Sequence, residues 1–350
     1  MSVVATELRA RGLRQPSLPP WSLAATTIGA VLVSLLLFAT TGFQGTADFL
    51  VVAVVLTLVL ITAISWRVEG RRRAVDRMAT NLAFVALLLT LIPLGFVVGY
   101  VIKRGIGTFG WGFLTKDVGS TGPLQAGGGV GHAVIGTIEQ VLLASVISVP
   151  LGIMVAIFIT EYGGRRLATA VRFLIDVMTG IPSIVAGLFV LAFWVFVLHQ
   201  GFSGIAGAIA LAILELPVVV RTSEEMIKLV PGALREASYA LGIAKWRTIL
   251  RVVLPTASTG ITTGVMLAIA RVIGETAPVL LVVGNNNYFH NDPFKGAQGS
   301  IGVFIFQNAN SASNFNVQRA WAAALTLILI VVVLYMAARL LTRRNRLAQR

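Results

Sequence analysis

The chain has 350 residues, of which 56% are hydrophobic and only 12% charged, with a formal net charge of +14 and no cysteine. This composition excludes an ordinary soluble protein, and the lack of cysteine excludes disulfides, Cys-ligated zinc, iron–sulfur clusters and a Cys nucleophile. The positive charge is not a nucleic-acid footprint, because the basic residues sit at the ends of apolar runs and not in a patch interleaved with aromatics.

Uncharged stretches of about 20 apolar residues are long enough to cross a bilayer. Within hydrocarbon each must satisfy its own backbone, so the expected fold is all-α and polytopic. The first run, about 21–41, follows Arg9, Arg11 and Arg14 and so has the outline of a signal peptide. It is too long for one and lacks a small-x-small cleavage site, which predicts a retained anchor. A second run spans about 48–65, and a basic linker from Arg67 to Arg77 follows, with Arg71, Arg72 and Arg73 consecutive. The linker divides an N-terminal extension, residues 1–78, from a core, residues 79–350. The core holds runs at about 80–102, 134–159, 174–198, 204–220, 256–283 and 320–341, giving about eight spans in all. Pro150 and Pro182 are expected to kink theirs.

Basic residues gather in alternate connections: the N-terminal tail, the Arg67 to Arg77 linker, Arg165 with Arg166 and Arg172, the stretch Arg221 to Arg251, and the C-terminal tail. The other connections hold only Lys103, Arg104, Lys116, Lys295 and Arg319. Cytoplasmic loops accumulate Lys and Arg, so both termini are expected inside. Two long outer loops, about 103–131 and 284–318, are rich in Gly, Asn and Ser. The Gly127–Gly129 run lacks the Lys-Ser/Thr ending and strand context of a phosphate-cradling loop and reads as a flexible hinge. His132, His199 and His290 have no metal-ligand spacing.

The cytoplasmic stretch Arg221 to Pro255 is too polar to span. Its pattern predicts a helix from Ser223 to Leu229, a break at Pro231 and Gly232, a second helix from Leu234 to Leu241 ended by Gly242, and a third from about Ala244. Glu236, Ala237 and Ser238 are followed by Gly242, then Val252, Leu254 and Pro255. This order and spacing resembles the EAA loop of ABC importer permeases, with Ser238 for the second Ala and Val252 for Ile. The resemblance implies a coupling helix that docks in a cleft of a cytoplasmic ATPase. Ala237, Ser238 and Gly242 would present a low-relief surface, and Glu236 would pair with a basic residue of that partner. The chain has no Gly-x4-Gly-Lys-Ser/Thr sequence, so ATP and Mg would be bound by the partner ATPase; this chain is expected to be a transport subunit and not an enzyme, with no cofactor of its own.

One basic residue, Arg271, falls inside a span, with Glu275 four residues later. A charge at mid-bilayer costs about 2.5–3.5 kcal/mol on insertion scales, so such residues face a bundle interior or an aqueous path. On a continuous helix the two would share a face and neutralise each other. A planar guanidinium can donate two parallel hydrogen bonds to a tetrahedral oxyanion, and competition from Glu275 would keep that site from holding its cargo too tightly. The alternative is a permanent ion pair that fixes helix packing. Asp176 and Glu139, near span ends, are expected to face water; Glu215 lies deeper, with no partner that its neighbours supply.

The phrase from Ala270 to Pro278, together with Gly180 to Val185, Gly187 to Phe189, Leu216-Pro217, Arg221 to Glu225 and Ile159 to Tyr162, resembles the A-type permease of phosphate-specific ABC importers over about residues 85–341. That resemblance implies a bacterial inner-membrane subunit paired with a second, similar permease, with two copies of an ATPase and with an extracytoplasmic phosphate-binding protein. Arg271 and Glu275 remain the candidate substrate-translocation residues, and Arg221, Pro182 and Ser183 are candidates for the pathway or its gate. The first two spans have no counterpart in the six-span pattern; a membrane-lipid anchor and a partner-binding addition are both open. Importers of molybdate or sulfate, and an ion-driven carrier or membrane enzyme, are the competing readings. The enzymatic one lacks a nucleophile with a base, paired acids or metal spacing.

Overall fold

The computed structural model describes residues 17–41 and 45–348. Among them the regular structure is helical, apart from one isolated bridge between Gly284 and Gln298. Among the described residues seven helices are long and apolar enough to cross a membrane, or eight if one bent pair forms a single span. The chain divides into two compact units, Met1–Val98 and Gly99–Arg350.

The first unit holds α1 (Ser22–Thr41), α2 (Thr46–Glu69) and most of α3 (Arg71–Gly105). Between α2 and α3 the chain turns at Gly70, whose φ of +86° suits a residue without Cβ. The turn is fastened by Glu69, which accepts two hydrogen bonds from Arg77 at 2.6 and 2.7 Å, one from Ser65 at 2.7 Å and one from the Leu18 backbone at 2.6 Å. The basic linker is therefore the end of α2, the Gly70 turn and the start of α3.

The second unit begins with the short α4 (Trp111–Thr115) and α5 (Gly131–Ile157), the latter prolonged by a π-helical turn, Phe158–Tyr162. Then come α6 (Arg165–Gly180), α7 (Ser183–Val190) with a π-helical extension Leu191–Val197, and α8 (Gly204–Lys228). A short α9 (Gly232–Ala240) precedes α10 (Lys245–Thr248), which runs through a π-helical turn, Ile249–Val253, into α11 (Leu254–Val272). The unit closes with α12 (Ala277–Val282), α13 (Ile301–Ala309) and α14 (Asn314–Ala348). Its centre is α8, packed along α5 and α11. The run Gly204 to Ala212 is mostly Gly and Ala, and small residues let backbones approach where hydrocarbon supplies no hydrophobic drive between helices. A Cβ on Gly207 would lie 2.7 Å from Val283 Cγ1, and one on Gly152 would lie 2.7 Å from Val219 Cγ1.

Two expected spans are broken. The run 174–198 is two helices, α6 and α7, set at 100° to each other. Ile181 is extended, as a residue before proline prefers, and Pro182 caps α7. The polar side chains of α6 (Arg165, Arg166, Arg172, Asp176) also keep it from being the first half of a straight apolar rod. The run 256–283 stops at Val272 and resumes at Ala277, with Pro278 in the first turn of α12. By contrast, Pro150 and Pro217 lie inside α5 and α8 without ending them.

The Gly127–Gly129 run is not a free hinge. Gly127 and Gly128 take φ of +99° and +72°. Gly129 N donates to Asp117 O at 2.9 Å, Val130 N to Phe113 O at 2.7 Å, and Arg319 Nε to Gly127 O at 2.8 Å. Arg319 also donates to Gln125 O and is almost fully buried, so this arginine staples a loop to the start of α14. The long loop after α12 folds down on α5: Gln140 donates to Gln298 Oε1 at 2.9 Å and to Gly299 O at 3.2 Å, and Ile301 N donates to Thr137 at 2.8 Å.

Candidate coupling surface and translocation site

The helix expected over Ser223 to Leu229 is the last part of α8, which runs without interruption to Lys228. Leu229 to Pro231 then turn the chain, α9 follows, and Gly242 reverses it with a φ of +73°. Glu236 and Ala237 are exposed on α9. Ser238 is not part of the exposed face: it is buried, with its hydroxyl 2.8 Å from Thr248 Oγ1, where it joins α9 to α10. What the spacing did not reveal is the apolar rim around Glu236. Leu234, Tyr239, Ile243 and Trp246 are exposed, and Leu241 retains 80% of its surface. A solvated helix carries such side chains at a cost unless another surface covers them.

Behind this face lies a node that the sequence alone did not connect. Arg235 pairs with Glu161 in the π-helical turn after α5, Nε to Oε1 at 3.0 Å and Nη2 to Oε1 at 2.9 Å. The same guanidinium donates to the carbonyl of Ile227, in the last turn of α8, at 2.9 Å and to that of Val230, just beyond the helix, at 2.6 Å. Lys245 of α10 donates to the Glu161 carbonyl and stands 4.9 Å over the Tyr162 ring.

Arg221, a candidate for the pathway or gate, is engaged between helices: it pairs with Asp176 of α6 and lies 3.7 Å from Glu224. Asp176 therefore has a cationic partner and is not a lone water-facing carboxylate. Glu224 is almost fully buried and also binds Arg172 of α6 and Lys228, each at 2.6 Å. Glu139 likewise accepts a hydrogen bond, from Gln298. Glu215 is fully buried, and its partner is Ser145 of α5, whose hydroxyl is 3.0 and 3.3 Å from the two carboxylate oxygens.

Arg271 lies in the last turn of α11, exposed in the single chain, and its side chain makes no hydrogen bond or ion pair among the described residues. Glu275 is half-buried beyond the helix end, so the expected Arg271–Glu275 pair does not form. The four-residue spacing implies a shared face only while the helix continues. A cation at a helix C-terminus is itself favourable, since the last carbonyls point toward it. What the fold does bring together are the two breaks. Gly187, one turn beyond Pro182 and Ser183, packs on Pro278: a Cβ there would lie 2.6 Å from Pro278 Cα and 2.8 Å from its carbonyl oxygen. A cavity of about 470 Å³ among α5, α11 and α14 is lined by Val134, Ile138, Val141, Ile269, Ile273 and Leu329 among others; apart from Thr326 its walls are apolar, and it offers nothing to an anion.

Two broken segments packed together in a polytopic bundle, with a short polar helix exposed between two spans, define a membrane transport permease. Residues 148–347 match the family described as Binding-protein-dependent transport system inner membrane component, and the chain belongs to that family. It is 44% identical over 284 residues to the phosphate transport system permease protein PstA 1 of Mycobacterium tuberculosis, a match covering 79% of this chain and 92% of that one. It is 40% identical to the phosphate transport system permease protein PstA of Yersinia pestis, covering 79% and 93%, and 39% identical to that of Xylella fastidiosa, covering 79% and 96%. In fold it is similar to a chain of a bacterial alginate ABC transporter solved with a pentasaccharide-bound periplasmic protein, at a TM-score of 0.56, 14% identity and coverage of 80% and 97%. A chain of a bacterial ABC transporter that imports alginate gives a TM-score of 0.52 at 18% identity, covering 78% and 99%.

Proposed function

We propose that this chain is a translocating subunit of an ATP-driven importer of inorganic phosphate. The observation that carries the reading is the match to permeases named for phosphate transport, over 79% of this chain and more than nine-tenths of each relative, while the family match at residues 148–347 takes in Arg271 and both breaks. In this reading a second, similar permease completes the pathway and two copies of an ATPase bind ATP and Mg. An extracytoplasmic binding protein delivers phosphate. Both termini and α9 lie on the cytoplasmic side, in keeping with the basic connections.

Coupling is mechanical. Glu236, Ala237 and the apolar rim of α9 seat in the ATPase, Gly242 allows the tight reversal beside them, and closure around ATP moves α9 with the spans behind it. Arg271, without a partner among the described residues, offers its fork to the phosphate oxygens; half-buried Glu275 stands within the break, where it limits how tightly the anion is held. Pro182 and Ser183, with Arg221 on its ion pairs, shape the opening and closing of the path.

The test is uptake of labelled phosphate into proteoliposomes that hold this chain with its permease, ATPase and binding-protein partners. The expected result is uptake that needs ATP and resists excess sulfate or molybdate. Transport of either of those anions in preference to phosphate would overturn the substrate, and ATP-independent transport driven by an ion gradient would overturn the class.

A further inference from the structure

We infer that Arg235 and Glu161 form a strut through which movement of α9 is delivered to α5, a helix to which α9 has no nearby covalent connection. The inference rests on the proposed coupling role of α9 and assigns two positioning residues to it. Along the chain α9 is tied only to α8 and α10, and both ties are turns. Leu229 to Pro231 interrupt the helix, since proline has no N–H to continue it, and Gly242 sits in the left-handed region. A push on α9 that had only these joints would bend them as readily as it moved the spans.

The strut removes that freedom. The Arg235 fork spans three elements at once: its own α9, the Ile227 and Val230 carbonyls at the end of α8, and Glu161 at the end of α5, 74 residues earlier in the chain. Both side chains are largely shielded, Arg235 at 18% and Glu161 at 7% exposure, so neither water nor salt screens the pair as at a free surface. Arginine suits the place because its planar, pre-organised donors fix direction as well as distance; a lysine would hold Glu161 as a point charge. Lys245 of α10 adds to the node through the Glu161 carbonyl and the Tyr162 ring, and Arg172 of α6 reaches the Ile159 carbonyl of the same turn at 3.4 Å. Because α5 and α8 pack along each other, clamping α9 to the ends of both makes the three helices one rigid lever. The Ile159 to Tyr162 phrase, which the coupling motif does not absorb, then has a mechanical role.

The experiment uses the assembled transporter. The chain has no cysteine, so two introduced ones take spin labels without background from this subunit; Met154 on α5 and Ala240 on α9 are both exposed. With native Arg235 and Glu161 the distance between the labels is expected to stay the same when ATP binds. In Glu161→Ala, and more weakly in Glu161→Gln, it is expected to shift or broaden on ATP addition. In the same vesicles, anion moved per ATP hydrolysed is expected to fall at least about fivefold in Glu161→Ala and Arg235→Ala, at the lower end of typical coupling energies, with hydrolysis itself retained. Arg235→Lys, which keeps a cation for Glu161 but loses the fork to the Ile227 and Val230 carbonyls, is expected to restore only part of the ratio.

An unchanged distance in Glu161→Ala, or an unchanged transport ratio in both alanine variants, overturns the strut. If the native assembly moves an anion other than phosphate, the substrate reading fails while the ratio still decides the strut with that anion. If it moves none, the label distances decide it alone.

Discussion

The two units of this chain are built from similarly apolar helices but pack in different ways. In α1 and α2 only 17% of the most apolar window is buried, and in α3 none of it, whereas in α8 61% is. Hydrocarbon gives no hydrophobic drive between helices, so burial must come from small residues and polar contacts. The second unit has both: the Gly- and Ala-rich start of α8 and a set of inter-helix polar nodes at Glu224, Glu215, Gln298 and Arg235. The main polar contact joining helices of the first unit is the Glu69 node at the turn between α2 and α3. Apolar length makes a span; close backbone approach and buried polar pairing make a bundle able to hold a site. The family match, residues 148–347, falls wholly in the second unit.

The sharpest way to break this contrast is Glu224→Ala. It would leave Arg172 and Lys228 without their shared carboxylate and is expected to destabilise the second unit by about 3 kcal/mol, read as a lowered Tm of the purified chain. A loss near zero would mean that the node is a surface pair of little worth. Next is Gly187→Val, which drives a side chain into Pro278; overpacking of this kind costs about 1–3 kcal/mol and should lower uptake more than it lowers hydrolysis by the ATPase. Ser145→Ala removes the Ser145 hydroxyl from buried Glu215, at an expected cost of about 1–3 kcal/mol, and a second substitution, Glu215→Gln, should offset part of it. The smallest effect is expected from deleting residues 1–69, which removes the two loosely packed helices before α3. Uptake and the Tm of the remainder should stay near those of the full chain, and a collapse of either would show that the first unit supports the transport bundle.

Much of the bundle was legible beforehand, because periodicity and charge asymmetry are local signals. The α9 helix was bounded to within about two residues by Pro231, Gly232 and Gly242. The breaks were only half legible. Pro182 was visible, yet the apolar count around it outweighed it, and Gly274 with Pro278 was read as part of a continuous rod. From that error came the expected Arg271–Glu275 pair. Side-chain partnerships were not legible at all: Ser145 is 70 residues from Glu215 and Glu161 is 74 from Arg235, and no local spacing rule reaches that far. Ser238 shows the same limit at short range, since its small size suited an exposed docking face and only the packing against Thr248 turned it inward.

The most direct test of the central claim is phosphate uptake by the reconstituted transporter with Arg271→Gln beside the unaltered chain, at matched assembly and matched binding of the ATPase. Loss of uptake in the variant, with assembly and ATPase binding intact, is the result expected if Arg271 receives the anion; undiminished phosphate uptake by the variant would contradict it.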